Sequence, residues 1–127
     1  MLKVKYPTIE KEGLVPMAKE MFRSRILEIE EDEFDAEVLK EKLPVLVMFW
    51  RSDCEPCKES IPIIEDESGH YAGRVKFVNI NADDNKKLVK QLTVREIPTL
   101  MVYKNGAAVT TNSGKSNKSK ITELLRN

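Results

Sequence analysis

The chain is poor in the residues that build specialised scaffolds. It has two cysteines and one histidine. Two cysteines are too few for a disulfide-framework mini-protein and too few for an all-cysteine structural zinc site. Excess charge is absent as well, since 21 basic residues balance 21 acidic ones among 127. That balance argues against a nucleic-acid or membrane-surface binder working by bulk charge. Long apolar runs are missing too. The longest spans the six residues Val45–Trp50, against the roughly 20 needed to cross a bilayer. The first 25 residues hold no signal-peptide core, because lysines, glutamates, Pro7, Gly13 and Pro16 break up each apolar stretch. The expected address is the cytoplasm, where thiols are kept reduced. A cysteine pair there points to catalysis, redox sensing or metal binding rather than to a structural bridge.

The chain does have enough apolar residues for one core, 41%, beside 33% charged ones. That is the make-up of a single soluble domain. The charge is unevenly spread. Residues 1–44 carry eight basic and eleven acidic groups, and the remainder thirteen and ten. The acids Glu28, Glu30, Glu31, Asp32, Glu33, Asp35 and Glu37 crowd one stretch. Their expected place is a solvated strand end and a helix first turn, where carboxylates offset the helix dipole, with a recognition surface as the alternative.

Residues 1–25 read as an extension outside the main domain, mobile over 1–13. Pro16 suits the first turn of a short helix. Leu14, Ala18, Met21 and Phe22 would form its apolar stripe, expected to pack on the domain, with a partner-binding helix as the alternative. From residue 26 to 127 strand and helix patterns alternate. Residues 26–29 read as a strand. Asp32 reads as the N-cap of a helix to about residue 42, with Phe34, Val38 and Leu39 on one face. Val45–Trp50 is apolar on both faces, as a central covered strand must be. A helix to about Tyr71 follows, expected to kink at Pro62. Residues 75–80 form the next strand and 85–92 a helix. Residues 99–103 form a strand that turns at Asn105-Gly106 into 107–110. A polar loop over 110–119 and a helix over 118–126 complete the chain. The order βαβαβαββα implies a three-layer α/β/α sandwich around a mixed sheet.

The cysteines stand in Trp50-Arg51-Ser52-Asp53-Cys54-Glu55-Pro56-Cys57-Lys58, between the central strand and the next helix. A helix N-terminus presents unpaired N–H groups and about half a positive charge, which stabilise a thiolate. Two intervening residues let the second cysteine reach the first. Pro56 stiffens the first turn. A lone C-x-x-C says little, but one placed between a buried strand and a helix in an α/β pattern is specific.

These features resemble the thioredoxin family. The resemblance rests on Val-Leu-Val-Met-Phe-Trp followed by Cys-Glu-Pro-Cys-Lys, on Pro62, on Ile97-Pro98-Thr99 in the place of the family's cis-proline motif, and on Gly114. It covers residues 26–127 and implies the thioredoxin fold. By the same resemblance Cys54 is the attacking thiolate and Cys57 the buried resolving thiol. Ile97, Pro98, Thr99 and Gly114 receive the substrate chain. No cofactor is implied beyond the Cys54–Cys57 disulfide, and no metal. The partners implied are disulfide-containing client proteins and a thioredoxin-reductase-type electron donor. Neither nucleic acid nor membrane is among them, and a monomer is expected. Trp50 and Lys58 are expected to shape the site, Trp50 by core packing and Lys58 by its charge.

Three departures from the family pattern stand out. Met48 takes the place of a buried aspartate that assists proton transfer at the resolving cysteine, and Asn79 that of the lysine partnering it. Resolution by Cys57 should slow, by the low end or less of the roughly 10²–10⁴-fold that a lost general base costs, because water can take its place in thiol exchange. Asp53 replaces a tryptophan and Glu55 a glycine. Both carboxylates oppose the Cys54 thiolate, so the pair should be at least as reducing as usual, with a narrower or more basic range of substrates. The principal expectation is a reductant of protein disulfides. The alternative is a thioredoxin-fold binding or assembly module with weak turnover. A zinc site from Cys54, Cys57, His70 and a carboxylate is the remaining paper possibility.

Overall fold

The computed structural model describes residues 25–126. The expected extension, Arg25 apart, and its stripe of Leu14, Ala18, Met21 and Phe22 lie outside the described residues. Among the described residues five strands form one sheet: β1 (Ile26–Glu28), β2 (Val45–Trp50), β3 (Lys76–Asn81), β4 (Thr99–Lys104) and β5 (Ala107–Ser113). Their spatial order is β1-β3-β2-β4-β5. β3 pairs parallel with both β1 and β2, while β4 runs antiparallel to β2, and β5 to β4. The helices α1 (Glu55–His70), α2 (Lys86–Gln91) and α3 (Lys118–Arg126) flank the sheet with a helical segment before β2. This is the mixed-sheet sandwich that the alternation implies.

β2 lies at the centre and separates two cores. Its residues alternate in facing, as the pleat requires. Val45, Val47 and Phe49 join Phe34, Val38, Ile80, Leu88 and Tyr103 on one face. Leu46 and Met48 join Phe77, Leu100, Ile64 of α1 and Ile121 and Leu124 of α3 on the other. Cys54 and Cys57 belong to this second core. The Asn105-Gly106 turn carries φ of 54° and 81°, the left-handed pair that a tight hairpin turn requires.

Two expected segments are corrected. The helix before β2 is neither capped by Asp32 nor long. It is a 3₁₀ turn, Glu31–Glu33, followed by a π turn, Asp35–Leu39. The N-cap is Glu30, joined to Glu33 in a reciprocal capping box in which the Glu30 N–H donates to Glu33 Oε1 at 2.8 Å. Asp32 is thus inside the first turn, and Pro44 disfavours helical backbone at residue 43. The polar stretch 110–119 is not one loop. β5 continues to Ser113, opposite Thr99, because an edge strand needs only one partner and solvent accepts its polar side chains. Asn117 Oδ1 then accepts the Lys120 N–H at 2.8 Å and caps α3.

Part of the acidic stretch holds the fold together. Asn85 is 1% exposed. Its Oδ1 accepts the Glu31 N–H at 2.7 Å, and its Nδ2 donates to Asn81 O and Glu30 Oε1. The Glu31 carboxylate in turn accepts the Leu88 N–H at 2.9 Å. A distant side chain thereby satisfies an orphan N–H in the first turn of α2. On the sheet's other rim, Lys76 Nζ reaches Glu37 at 2.6 Å and Glu41 at 3.1 Å.

This triad sets a pH dependence. Burial raises the Glu41 pKa, but the Leu43 N–H and Lys76 outweigh it, so the net shift is downward. Burial lowers the Lys76 pKa, and the hydrogen bonds and charges of Glu37 and Glu41 reverse that, so it ends raised. The Glu41 contribution is therefore complete above the ordinary carboxylate pKa of about 4.3 and lost as pH falls through the folded value. That of Lys76 is complete below about 10.4 and lost as pH rises through its folded value. Lys76→Ala is expected to cost about 1–2 kcal/mol at neutral pH, for a pair only partly withdrawn from solvent. Its deficit should shrink at either extreme. Urea unfolding across pH checks this, and a deficit that stays constant with pH would contradict it.

Candidate active site

β2 ends at Trp50 in the middle of the sheet, and four residues later Cys54 caps α1. The Cys54 backbone is extended (φ −152°, ψ 103°) and its Sγ accepts the Cys57 N–H at 3.1 Å. Pro56 sits in the first helical turn, where a missing N–H costs nothing. The two sulfurs are bonded, with S–S 2.13 Å and Cα–Cα 5.2 Å. Cys54 keeps 7% of its surface exposed and Cys57 1%, so an approaching molecule meets Cys54 first.

The segment before β4 closes the site. The Ile97–Pro98 bond is cis, and the Ile97 carbonyl oxygen lies 3.8 Å from Cys54 Sγ. Gly114 (φ +93°) donates its N–H to the Pro98 carbonyl at 2.7 Å. That backbone suits glycine alone among common residues. Cys54, Cys57, Ile97, Pro98 and Gly114 are thus brought together. Thr99 is buried behind them, its hydroxyl donating to the Glu96 carbonyl. Beside Cys54 runs a groove of about 260 Å³ lined by Glu55, Pro56, Glu59, Glu96, Ile97, Gly114 and Lys115.

The other expected residues take distinct places. Trp50 packs against the core that holds both cysteines. Its Nε1 is buried without a hydrogen-bond partner among the described residues. Asp53 is exposed. Glu55 and Lys58 are exposed and face each other at 3.4 Å, so the lysine offsets part of that carboxylate's field. Met48 is 3% exposed and stands in register with Asn79. The interior beside Cys57 therefore carries a thioether and an amide where the family pattern has an aspartate and a lysine. The Asn79 Oδ1 is buried without a hydrogen-bond partner among the described residues.

A zinc site from both cysteines and His70 is excluded by distance. The cysteines start α1 and His70 ends it, which places them roughly 20 Å apart at about 1.5 Å per residue. His70 instead lies among Asp66 and Glu67, each offering one atom within 4.8 Å of the others. Sequence reasoning passed over Glu59, Glu96 and Lys115. The signals were modest but present: Glu59 follows Glu55 by one helical turn, Glu96 precedes Ile97, and Lys115 follows Gly114.

The family model described as thioredoxin matches residues 25–127. A thioredoxin of Haemophilus influenzae is 36% identical over 102 residues, covering 80% of this chain and 95% of the relative. One of Acidithiobacillus ferridurans is 39% identical over 100 residues, 79% of this chain and 93% of the relative. One of Allochromatium vinosum is 38% identical over 100 residues, 79% and 94% of the two chains.

Proposed function

The chain belongs to the thioredoxin family, and on that premise we propose that it reduces disulfides of client proteins with Cys54 as nucleophile and Cys57 as resolving thiol. That it is a thioredoxin-type dithiol–disulfide oxidoreductase acting on disulfide-containing proteins follows from the family itself. The direction, the division of labour between the sulfurs and the surrounding roles are the proposal. The observation that carries it is the asymmetry of the pair: Cys54 caps the helix at the groove and Cys57 is 1% exposed behind it.

The steps follow from that asymmetry. The Cys54 thiolate attacks one sulfur of the client disulfide. A Cys54–client S–S bond forms, the client bond breaks, and one client thiolate leaves. The Cys57 thiolate then attacks Cys54 Sγ, expelling the second client thiolate and closing the Cys54–Cys57 bond. The client gains two electrons and the pair loses two. A dithiol donor of the thioredoxin-reductase type restores the pair. The Cys57 N–H, 3.1 Å from Cys54 Sγ, is placed to stabilise the attacking thiolate. The Ile97 carbonyl and the groove floor at Gly114 suit an extended client segment. Trp50, Pro56 and Pro98 hold this frame rigid. Among the described residues no helix is long and apolar enough to cross a membrane. A cytoplasmic, monomeric protein is part of the proposal.

Reduction of insulin with dithiothreitol as electron source tests the reading. Precipitation well ahead of dithiothreitol alone is expected. Catalysis absent while the disulfide still forms would favour the binding-module alternative. The potential of the pair tests direction. A value near the ~−270 mV familiar for thioredoxin itself fits a reductant, and one near −120 mV would reverse it.

A further inference from the structure

The groove beside Cys54 is acidic. Three of its seven lining residues are glutamates, Glu55, Glu59 and Glu96, against one cation, Lys115. Two of these acids have partners. Lys115 Nζ lies 2.9 Å from Glu59 Oε1, and Lys58 Nζ 3.4 Å from Glu55 Oε2. Glu96 makes no ion pair among the described residues, although Arg95 is its neighbour in the chain. Its position is close to the chemistry. It immediately precedes Ile97, whose carbonyl lies 3.8 Å from Cys54 Sγ. Its Oε2 lies 3.4 Å from the point a Cβ on Gly114 would occupy, so the carboxylate hangs over the groove floor at the gap that glycine leaves open. Asp53, exposed next to Cys54 in the chain, adds a second carboxylate with no ion pair among the described residues.

We propose that Glu96, backed by Glu55 and Glu59, selects clients in which a lysine or arginine stands next to the cysteine under attack. This rests on the reading of the chain as a disulfide reductant. A client segment lying along Ile97 and Gly114 brings the residues flanking its cysteine over Glu96. A cationic flank meets an uncompensated carboxylate there, and an anionic flank meets repulsion. Such rim charges act mainly on the association rate and are screened by salt. Each exposed pair is worth up to about fivefold.

The test uses the reduced full-length protein and three disulfide-bonded peptides that differ only in one residue beside the attacked cysteine: lysine, glutamine or glutamate. Rate constants are divided by those of each peptide with dithiothreitol, which removes the peptides' own reactivity. The expected order is lysine, glutamine, glutamate, spanning about tenfold at low salt and shrinking to about twofold in 0.5 M sodium chloride. Glu96→Gln should reduce the lysine-to-glutamate ratio about two- to fivefold, and Glu96→Lys should bring it to unity or invert it. Because the readout is a ratio, a general loss of activity or stability in either variant leaves it unmoved. A ratio unchanged by both substitutions, or insensitive to salt, would overturn the assignment. Failure to reduce even the glutamine peptide would instead sink the reductant reading on which it stands.

Discussion

Cys57→Ser is expected to stop turnover and leave the protein covalently joined to its client. The first attack needs only Cys54, which is the more exposed sulfur and caps α1. Release of the client needs a second thiolate within reach of Cys54 Sγ, and Cys57 already bonds to that atom. With serine in its place the mixed disulfide has no internal exit. Turnover in the insulin assay should fall about 10³-fold or more, to the level of dithiothreitol alone. A client-sized adduct should appear on non-reducing gels and vanish on reduction. Cys54→Ser should abolish activity equally but trap nothing. The reverse pattern, with adducts in Cys54→Ser and none in Cys57→Ser, would exchange the two roles.

Met48→Asp should change both stability and rate. Met48 is 3% exposed, packed in the core with Cys57 and in register with Asn79. A carboxylate there is withdrawn from water, and its partner in register is the uncharged Asn79. Burial can raise such a pKa by about 3–5 units, at about 1.4 kcal/mol per unit. The sign follows from linkage. Below the ordinary carboxylate pKa both states are protonated and the charge penalty is absent. It grows as pH rises toward the folded pKa and is constant beyond it. At neutral pH, about three units above the unfolded carboxylate pKa, the variant should lose about 4 kcal/mol. Near pH 4 most of this should return, helped by a protonated carboxyl donating to the orphaned Asn79 Oδ1. The same group would supply the missing proton acceptor for Cys57, so release of a preformed mixed disulfide should quicken, by about tenfold or more. Urea unfolding from pH 4 to 8 and single-turnover release measure the two effects. A loss of stability that ignores pH would refute the desolvation account. An unchanged release rate would show that Met48 does not limit resolution.

Features carried by local chemistry were legible in the sequence. The apolar run of Val45–Trp50 announced the central strand, and Cys-Glu-Pro-Cys announced the helix start, because pleat alternation and the demands of a helix N-terminus act over a few residues. Asn105-Gly106 announced the hairpin for the same reason. The helix before β2 starts two residues earlier than residue type alone suggests, since Glu30 and Asp32 are both acceptable caps by type and the reciprocal bonds of Glu30 with Glu33 distinguish them. The end of β5 was misread because its polar residues do not alternate with apolar ones. Pairing with β4 holds them as a strand.

The redox pair, its seat on a helix N-terminus and the order of the elements can be read from the residues in chain order, and the family resemblance points to the proline and glycine of the site. The electrostatics of the groove arise from long-range packing. Glu96 lies 42 positions from Cys54, and no local periodicity relates them. Their segments meet because β2 and β4 are paired neighbours in the sheet, which brings Ile97, the residue after Glu96, against Cys54 in the turn that leaves β2. The same holds for Met48 beside Asn79, joined by the β2–β3 register, and for Glu31, which satisfies an N–H of α2 from another element. Register is set by burying whole faces of strands at once, so it places residues side by side without regard to their separation in the chain.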